Sequence, residues 1–270
     1  MMPVLKKCFD KYDVFIVDMD GVIWRGNEPI KDAIESLNHL IQMGKRILFM
    51  TNNSTRTRLS YLRRLKRFGV IVDSVDSIIT SAYATSLLLK SLGKRNVYVV
   101  GEYGLIYELA QQGIHVLNED ESINDNVEAV VVGLDRNLTY RKLMYALMAI
   151  RRGALFIATN TDSTLPTPEG EIPGAGAIVA AIRTASNKEP DYIVGKPNKL
   201  MVELALGSNY NKYQILVIGD RLDTDLELAY NCSADSLIVL TGVTDREDIA
   251  RYHRKPTYVL STLREMFISQ

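Results

Sequence analysis

Residues 14–22 read VFIVDMDGV, and this stretch is the strongest indication of the chain's architecture. Its apolar residues, Val14–Val17, are mostly β-branched and predict a short buried strand. Two carboxylates and a glycine follow at once, so we expect the strand to end at Asp18 and the backbone to turn at Gly21. Polar residues directly after a buried strand are typical of ligand sites in open parallel sheets.

Further apolar runs of the same kind alternate with helical patterns along the chain. The predicted strands are Val14–Val17, Ile47–Met50, Val97–Val100, Val127–Val132, Ala154–Ala158, Tyr192–Val194, Ile215–Ile218, Ser236–Leu240 and Tyr258–Leu260. The predicted helices, each stopped by a glycine, are Ile30–Met43, Thr57–Phe68, Ala82–Leu92, Leu105–Gln112 and Tyr140–Arg152. Strands that alternate with helices predict an α/β protein with a doubly wound parallel sheet.

Residues suited to phosphate or metal chemistry follow four of these strands, at positions 18–20, 51–54, 196 and 220–225. The block between the second and third of these sets has strands and helices of its own but no such set. We therefore predict a core domain at 1–80 and 191–270, with an inserted α/β domain at 81–190. The proline- and glycine-rich segment TLPTPEGEIPGAG, residues 164–176, predicts a connection or hinge rather than a regular element.

Charge and composition exclude several classes of partner. Lys plus Arg and Asp plus Glu both total 32, so the overall charge favours neither nucleic acid nor an anionic membrane. The basic segment at 56–67, RTRLSYLRRLKR, has leucines at a spacing of three and predicts an amphipathic helix with a solvated basic face. These leucines are Leu59, Leu62 and Leu65.

Neither secretion nor membrane insertion is indicated. The chain begins without the apolar stretch of a secretion signal, and no run approaches the ~20 apolar residues of a membrane span. Cys8 and Cys232 are too few and too far apart for a disulfide framework or a metal cluster. We expect a cytoplasmic protein.

Three aspartates predict a metal site at the strand ends. Asp18 and Asp20 stand two residues apart, and Asp220 follows the apolar run ILVIG. Two carboxylates this close would repel each other, so their pairing favours a bound cation or a shared proton. A few carboxylates with several waters suit Mg²⁺, which prefers oxygen ligands in octahedral geometry.

The same residues permit phosphoryl chemistry. Asp18, fixed at the strand end, could attack phosphorus, while Asp20, in the turn, could protonate the leaving oxygen and later activate water. The turn Thr51–Ser54 would present backbone N–H groups and a hydroxyl to an anion, and Lys196 would neutralise a phosphoryl group. For Asn53 and Ser54 an alternative is open, since either could simply cap the helix at Thr57.

Together these motifs resemble the haloacid-dehalogenase-like (HAD) phosphatases, and within them the NagD-like, p-nitrophenylphosphatase-like branch (subfamily IIA). The resemblance covers nearly the whole chain. The matching segments are DMDGVIWRG at 18–26, TNNST at 51–55, ATNTDSTLPTPEGEIPGAGAI at 158–178, VGKPN at 194–198 and VIGDRLDTDLELA at 217–229. The resemblance implies a Rossmann-like core with a large α/β cap domain inserted after the second motif.

The resemblance also implies a role for each matching residue. Asp18 is the nucleophile and Asp20 the general acid and base of a phosphatase that forms an aspartyl phosphate. Mg²⁺ is held by Asp18, the backbone carbonyl of Asp20, and Asp220. Substrate phosphate is bound by Thr51, Asn52, Asn53 and Lys196. Asp225 orients Lys196 or a metal-bound water. Asp223 fits the pattern less clearly and is expected to cap the helix that begins near Thr224.

The substrate is expected to be a small-molecule phosphate ester, and its leaving group is expected to meet the cap. Three groups of residues are candidates for that contact, and each of them could instead be structural. The candidates are Asp135 with Arg136, Asn160 with Asp162, and Trp24 with Arg25. A homodimer formed through the cap is a further expectation.

Three other functions fit part of the pattern. A phosphoacceptor module of the receiver type also uses an aspartate, a threonine, a lysine and Mg²⁺, but needs about half of this length and has no use for Asp20. A phosphomutase would use the same groups and pass the phosphoryl group to a second hydroxyl. A dehalogenase would have little use for Asp20 or for a metal site.

Overall fold

The computed structural model describes residues 3–118, 126–167 and 170–268. The chain forms two compact units. The first comprises Met1–Thr51, Tyr61–Ile79 and Lys196–Gln270, and the second comprises Asn52–Ser60 and Thr80–Gly195. The domain boundaries predicted after residues 80 and 190 stay a prediction.

The first unit is built on a six-stranded sheet. In spatial order its strands are Tyr258–Leu260, Asp235–Val239, Ile215–Gly219, Val14–Val17, Arg46–Thr51 and Ile78–Thr80. The first five pair in parallel. The chain enters at Val14–Val17 and later adds strands on both sides of it, so the strand order reverses there. In open α/β sheets such a reversal marks the ligand crevice, and Asp18 is the residue that follows.

Helices of the first unit cover the sheet and explain its unbroken apolar strands. All four residues of Val14–Val17 are buried, and so are all five of Ile215–Gly219. A parallel strand that is covered on both faces has apolar residues at every position. This is why these strands could be predicted from continuous apolar runs in the sequence. The helices are Lys7–Asp10, Lys31–Gln42, Arg58–Arg67 (which begins in the second unit), Leu200–Leu206, Glu227–Asn231 and Arg246–Arg251.

The second unit contains a five-stranded parallel sheet. Its strands, in spatial order, are Tyr192–Ile193, Leu155–Ala158, Ala129–Val132, Asn96–Val100 and His115–Leu117. Each neighbouring pair is parallel. The helices are Ser81–Ser91, Tyr103–Gln111, Tyr140–Arg151 and Ala175–Ser186. Parallel sheets flanked by helices confirm the predicted Rossmann-like α/β class.

Shorter elements complete the described chain. Two antiparallel ribbons belong to the first unit, Val4–Leu5 with Phe267–Ile268 and Trp24–Arg25 with Glu28–Pro29. Single turns of 3₁₀-helix occupy Val75–Ser77, Tyr210–Lys212 and Leu263–Met266, and a π-helix occupies Leu222–Leu226. No helix of the described part is both long and apolar enough to span a bilayer.

One local prediction is wrong, and a second holds except at one residue. The segment 164–176 is not merely a connection, because Thr164–Thr167 and Gly170–Pro173 pair as an antiparallel hairpin; residues 168 and 169 lie outside the described part. Proline is tolerated in such a ribbon because each strand has a free edge. The amphipathic helix predicted at 56–67 does form, at Arg58–Arg67, with Leu65 buried and Leu62 packed against the core. Leu59 departs from the prediction, because it is 39% exposed and Tyr61 supplies the buried face with Leu65.

Candidate active site

Asp18 lies at the carboxyl end of the central strand of the first unit. Its backbone N–H donates to the carbonyl of Ile218 at 2.8 Å, which extends the ladder to the neighbouring strand and fixes the residue. Only 12% of its side chain is exposed. Burial, the largest influence, raises the pKa of this carboxyl well above its ordinary value, against the opposing effect of the Lys196 ammonium.

Lys196 joins two carboxylates in the interior of the first unit. Its Nζ lies 2.5 Å from Oδ1 of Asp18 and 2.7 Å from Oδ1 of Asp225, and only 4% of its side chain is exposed. Burial by itself lowers the pKa of Lys196, but the two negative neighbours outweigh burial and raise the pKa above its ordinary value. Lys196 is therefore a fixed cation next to the Asp18 carboxylate.

Asp220 follows the strand Ile215–Gly219 and is enclosed by backbone. Its Oδ2 accepts a hydrogen bond from the N–H of Val243 at 2.8 Å. A Cβ at Gly21 or Gly242 would collide with this carboxylate, and Gly21 also has φ +82°, a conformation that favours glycine. Burial, followed by the nearby Asp225 charge, raises the pKa of Asp220 to about 7.

Asp225 holds Lys196 from the π-helix Leu222–Leu226. Its Oδ1 accepts from Lys196, and its Oδ2 accepts from the N–H of Arg221 at 3.2 Å. Asp223, two residues earlier, points elsewhere and pairs with the Arg221 guanidinium at 2.8 Å. The prediction that Asp223 caps a helix is therefore wrong, because a cap would accept from the backbone and this side chain binds a side chain.

Asp18, Asp220 and Asp225 form a cluster that could hold a metal ion. One carboxylate oxygen from each lies within 4.8 Å of the others. Two of these buried carboxylates, Asp18 and Asp225, already pair with Lys196, and the third adds further negative charge. Hard oxygen donors of this kind suit a divalent cation such as Mg²⁺. Because both oxygens of Asp225 already accept hydrogen bonds, Asp18 and Asp220 are the better candidates for direct ligands.

Asp20 is exposed, yet its side chain is anchored. Its Oδ1 accepts a hydrogen bond from Nε1 of Trp24 at 2.7 Å. Trp24 itself is fully buried, so it is not available to touch a leaving group, and that prediction is wrong. The exposed neighbour Arg25 donates to the carbonyl of Thr241.

The second motif contributes Thr51 to the first unit and Asn52 to the second. Thr51 ends the strand Arg46–Thr51 and is buried. In the second unit, Nδ2 of Asn52 donates to both carboxylate oxygens of Asp162, at 2.9 and 3.2 Å. The backbone carbonyl of Asn52 accepts from Oγ of Ser81 at 2.6 Å. No local pattern predicts the Asn52–Asp162 contact, because the two residues are 110 positions apart in the chain.

Asn53 and Ser54 do not cap the following helix. Oδ1 of Asn53 accepts from the N–H and the hydroxyl of Thr55, at 2.9 and 2.7 Å, and so closes a local turn. The helix is capped by Thr57, whose Oγ1 accepts from the N–H of Ser60 at 3.1 Å. Oγ of Ser54 is buried without a hydrogen-bond partner among the described residues. The capping alternative for Asn53 and Ser54 is therefore wrong.

Asp135 and Arg136 of the second unit have structural partners. Asp135 is buried, accepts from the N–H of Asn137 at 2.9 Å, and pairs with Lys142 at 2.6 Å. Arg136 makes a bidentate pair with Glu102, with both N···O distances at 2.7 Å. Pairing of this kind favours the structural interpretation of Asp135, whereas Arg136 is 59% exposed and can still meet a ligand.

The chain is similar to several characterised hydrolases. Residues 15–115 match the haloacid dehalogenase-like hydrolase family, and residues 193–266 match a second profile, described as HAD-hydrolase-like. Phosphoglycolate phosphatase 2 of Arabidopsis thaliana is 35% identical, with 97% of this chain and 94% of that protein covered.

Solved structures agree with the sequence matches. The p-nitrophenyl phosphatase of Archaeoglobus fulgidus superposes with a TM-score of 0.87 at 36% identity, and covers 95% of this chain and 98% of its own. A glycerol phosphate phosphatase of Mycobacterium tuberculosis, solved in complex with magnesium, gives a TM-score of 0.85 at 35% identity. That match covers 97% of this chain and 78% of the mycobacterial one.

Proposed function

Because the chain belongs to the haloacid dehalogenase-like hydrolases, in the NagD-like, p-nitrophenylphosphatase-like branch, and is a phosphoric monoester hydrolase, we propose that Asp18 is its nucleophile. The reaction is hydrolysis of a small phosphate monoester through an aspartyl phosphate. The observation that carries the proposal is the ion pair between Asp18 and Lys196, buried at the point where the strand order reverses.

Each residue then has a defined task. An oxygen of the Asp18 carboxylate forms a bond to phosphorus while the bond from phosphorus to the ester oxygen breaks. Asp20 gives a proton to that ester oxygen, and later takes one from the water that attacks the aspartyl phosphate. Lys196 neutralises charge on the transferring group and is itself oriented by Asp225. Thr51 and Asn52, with Asn53, bind the phosphate.

The proposed cofactor is Mg²⁺, held by Asp18, Asp220 and the backbone carbonyl of Asp20. When bound, it would neutralise phosphoryl oxygens and the excess negative charge of the carboxylates. The donor set supports this choice, since the three clustered acids offer hard oxygens and no histidine or thiol. After dialysis against EDTA, activity should return with Mg²⁺ in a saturable manner; full activity without any divalent ion would contradict the proposal.

An Asp18→Asn variant tests the nucleophile. The amide keeps the shape but cannot form the acyl phosphate, so turnover of p-nitrophenyl phosphate should fall to background while the circular dichroism spectrum stays that of the parent. Asp223→Asn is the matched control, because Asp223 has 57% of its side chain exposed and pairs with Arg221 outside the carboxylate cluster. An Asp18→Asn protein with parental activity would refute the proposal.

The relatives are named for different phosphate monoesters, so we propose a class of substrates rather than one compound. Phosphoglycolate, glycerol phosphate and p-nitrophenyl phosphate form a sensible first panel, and kcat/KM for each would rank their leaving groups. Release of free phosphate, without isomerised sugar phosphate, would separate hydrolysis from the phosphomutase alternative. A phosphoaspartate that persisted for minutes would instead favour the phosphoacceptor module, which the full-length similarity to phosphatases argues against.

A homodimer through the second unit remains part of the proposal. Large side chains exposed on this unit support it, among them Tyr103 at 69% and Tyr140 at 85%. Light scattering on the purified protein would test it, and replacement of both tyrosines by serine should then yield monomers. A parental protein that is monomeric at all concentrations would contradict this part.

A further inference from the structure

The loop after the central strand holds Asp20 and Trp24 next to each other. The N–H groups of Ile23 and Trp24 both donate to the carbonyl of Met19, at 2.9 and 3.3 Å, and the N–H of Gly21 donates to the carbonyl of Trp24 at 2.8 Å. Asp20 and Trp24 also form an isolated backbone bridge. The backbone of the loop therefore holds the two residues side by side.

The indole of Trp24 is immobilised by its surroundings. It is fully buried, lies stacked near Tyr61 with ring centroids 6.3 Å apart, and contacts Phe68 at 5.8 Å. The guanidinium of Arg64 lies over the ring, 4.1 Å from its centroid. These neighbours and the complete burial hold the ring in place, with Nε1 2.7 Å from Oδ1 of Asp20.

The hydrogen bond makes the two oxygens of Asp20 unequal. An indole N–H only donates, so Oδ1 is the accepting oxygen. The carbonyl oxygen of a neutral carboxylic acid accepts a hydrogen bond better than its hydroxyl oxygen, so the bond favours a proton on Oδ2. In the carboxylate the bond makes Oδ1 less basic, which again favours Oδ2 as the oxygen that receives a proton.

We propose that Trp24 is a positioning residue that reserves Oδ2 of Asp20 for proton transfer to and from the reacting groups. The inference rests on the proposed function, since it assumes that Asp20 is the general acid and base. In the first step the P–O ester bond breaks, its electron pair stays on the leaving oxygen, and the proton of Oδ2 moves to that oxygen to give the alcohol. In the second step water bonds to phosphorus, the Asp18–phosphate bond breaks, and the proton lost by water moves to Oδ2.

The dependence on leaving group tests this role. p-Nitrophenolate is a stable anion that departs without a proton, whereas an alkoxide needs one, so loss of a well-placed acid should harm alkyl phosphates selectively. The constant kcat/KM is the proper measure, because it covers the steps up to the first irreversible one and excludes hydrolysis of the aspartyl phosphate.

Trp24→Phe removes the donor and keeps most of the ring. We expect kcat/KM for glycerol phosphate to fall about 10-fold, a fraction of the 10²–10⁴ that a general acid contributes. For p-nitrophenyl phosphate the fall should be less than about 2-fold. Asp20→Asn removes the acid itself, so its loss of kcat/KM for glycerol phosphate should be larger than that of Trp24→Phe and equally selective for glycerol phosphate over p-nitrophenyl phosphate. A series of substituted phenyl phosphates should show kcat/KM depending more steeply on leaving-group acidity in both variants.

The outcomes separate the two hypotheses. Suppose that Asp20→Asn lowers kcat/KM mainly for glycerol phosphate, whereas Trp24→Phe lowers kcat/KM equally for both substrates or for neither. Trp24 then has only a packing role and the inference is wrong, although the proposed function stands. If Asp20→Asn lowers kcat/KM equally for both substrates, Asp20 is not the general acid. The inference and the role proposed for Asp20 are then both wrong. Selective loss in both variants supports the inference.

A second variant covers the case in which Trp24→Phe does not fold. Trp24 is the only tryptophan of the chain, so 3-benzothienylalanine, placed at position 24 by stop-codon suppression, replaces the N–H with sulfur and preserves the bicyclic shape. It should show the same selective loss. The parental protein also has a single indole N–H resonance, which should move strongly in Asp20→Asn; an unmoved resonance would contradict the hydrogen bond itself.

Discussion

The metal-free protein should lose stability as the pH rises towards neutrality, and Asp220→Asn should remove much of that loss. Burial, helped by the nearby Asp225, raises the pKa of Asp220 from 3.8 to about 7 in the folded state. Between these two values the folded protein keeps a proton that the unfolded chain has already released. Because the folded state binds more protons there, its stability falls as pH increases.

The expected size follows from the width of that interval. Each unit of pKa difference corresponds to about 1.4 kcal/mol. An interval of about three units, from 3.8 to about 7, gives a loss of roughly 4 kcal/mol in the free energy of unfolding. The pKa of Asp18 is raised as well, so the parental protein should lose additional stability, and only the difference between parent and variant isolates Asp220.

Urea denaturation in EDTA, repeated at each pH from 4 to 8, measures this difference. The amide oxygen of asparagine can still accept from Val243, so the variant keeps that hydrogen bond and loses only the charge. Between pH 4 and about pH 7 the free energy of unfolding of Asp220→Asn should rise relative to that of the parent. Above pH 8 the difference between the two proteins should stay constant. Asp223→Asn, with its exposed side chain, should follow the parent throughout. A parent and an Asp220→Asn variant with the same pH dependence would refute the reasoning.

Three further changes have defined outcomes. Lys196→Met should lower kcat/KM for p-nitrophenyl phosphate by about 100-fold or more, because the transferring group loses its buried cation; a loss below tenfold in steady-state assays would contradict that role. Gly21→Ala should destabilise the protein by about 1–2 kcal/mol in thermal melts and weaken activity, since φ is +82° and the new Cβ meets Asp220; an unchanged melting temperature would argue against this. Ellman's reagent at pH 8 should titrate the exposed Cys8 alone, and both thiols in denaturant, because burial raises the pKa of Cys232 to about 11; two reactive thiols in the folded protein would contradict that burial.

Most of the fold could be predicted from local patterns. Buried parallel strands appear as continuous apolar runs, and the helices between them end at glycines. Both signals lie in consecutive residues, so they can be recognised without knowledge of the tertiary structure. The hairpin at 164–173 was missed because its prolines and glycines suggest a loop. Whether such residues pair depends on the facing strand, and a short segment carries no information about that.

Some residues of the candidate site could likewise be predicted from local patterns, and others could not. Asp18 and Asp220 were found because each follows an apolar strand, and parallel strands bring their carboxyl ends to one edge of the sheet. Lys196 was singled out by the other strand-end residues that accompany it, since a lone lysine is normally solvated. The role of Asp225 needed the family resemblance. The Trp24–Asp20 hydrogen bond was missed although the two residues are four apart, because the direction of an indole is set by the tertiary packing around it.

The carboxylate cluster links stability to function in this chain. Asp18, Asp220 and Asp225 are clustered, and burial together with repulsion between these carboxylates raises the pKa of the first two. Such a site is least favourable when it is empty and fully ionised, at neutral pH and above. A divalent ion that binds only the folded state stabilises it by RT ln(1 + [L]/Kd), where [L] is the free ion concentration, which amounts to about 2.7 kcal/mol at a concentration 100 times Kd. The repulsion that weakens the metal-free protein is therefore the same interaction that should favour the ion, and a rise in unfolding free energy on Mg²⁺ addition should be larger at pH 8 than at pH 5.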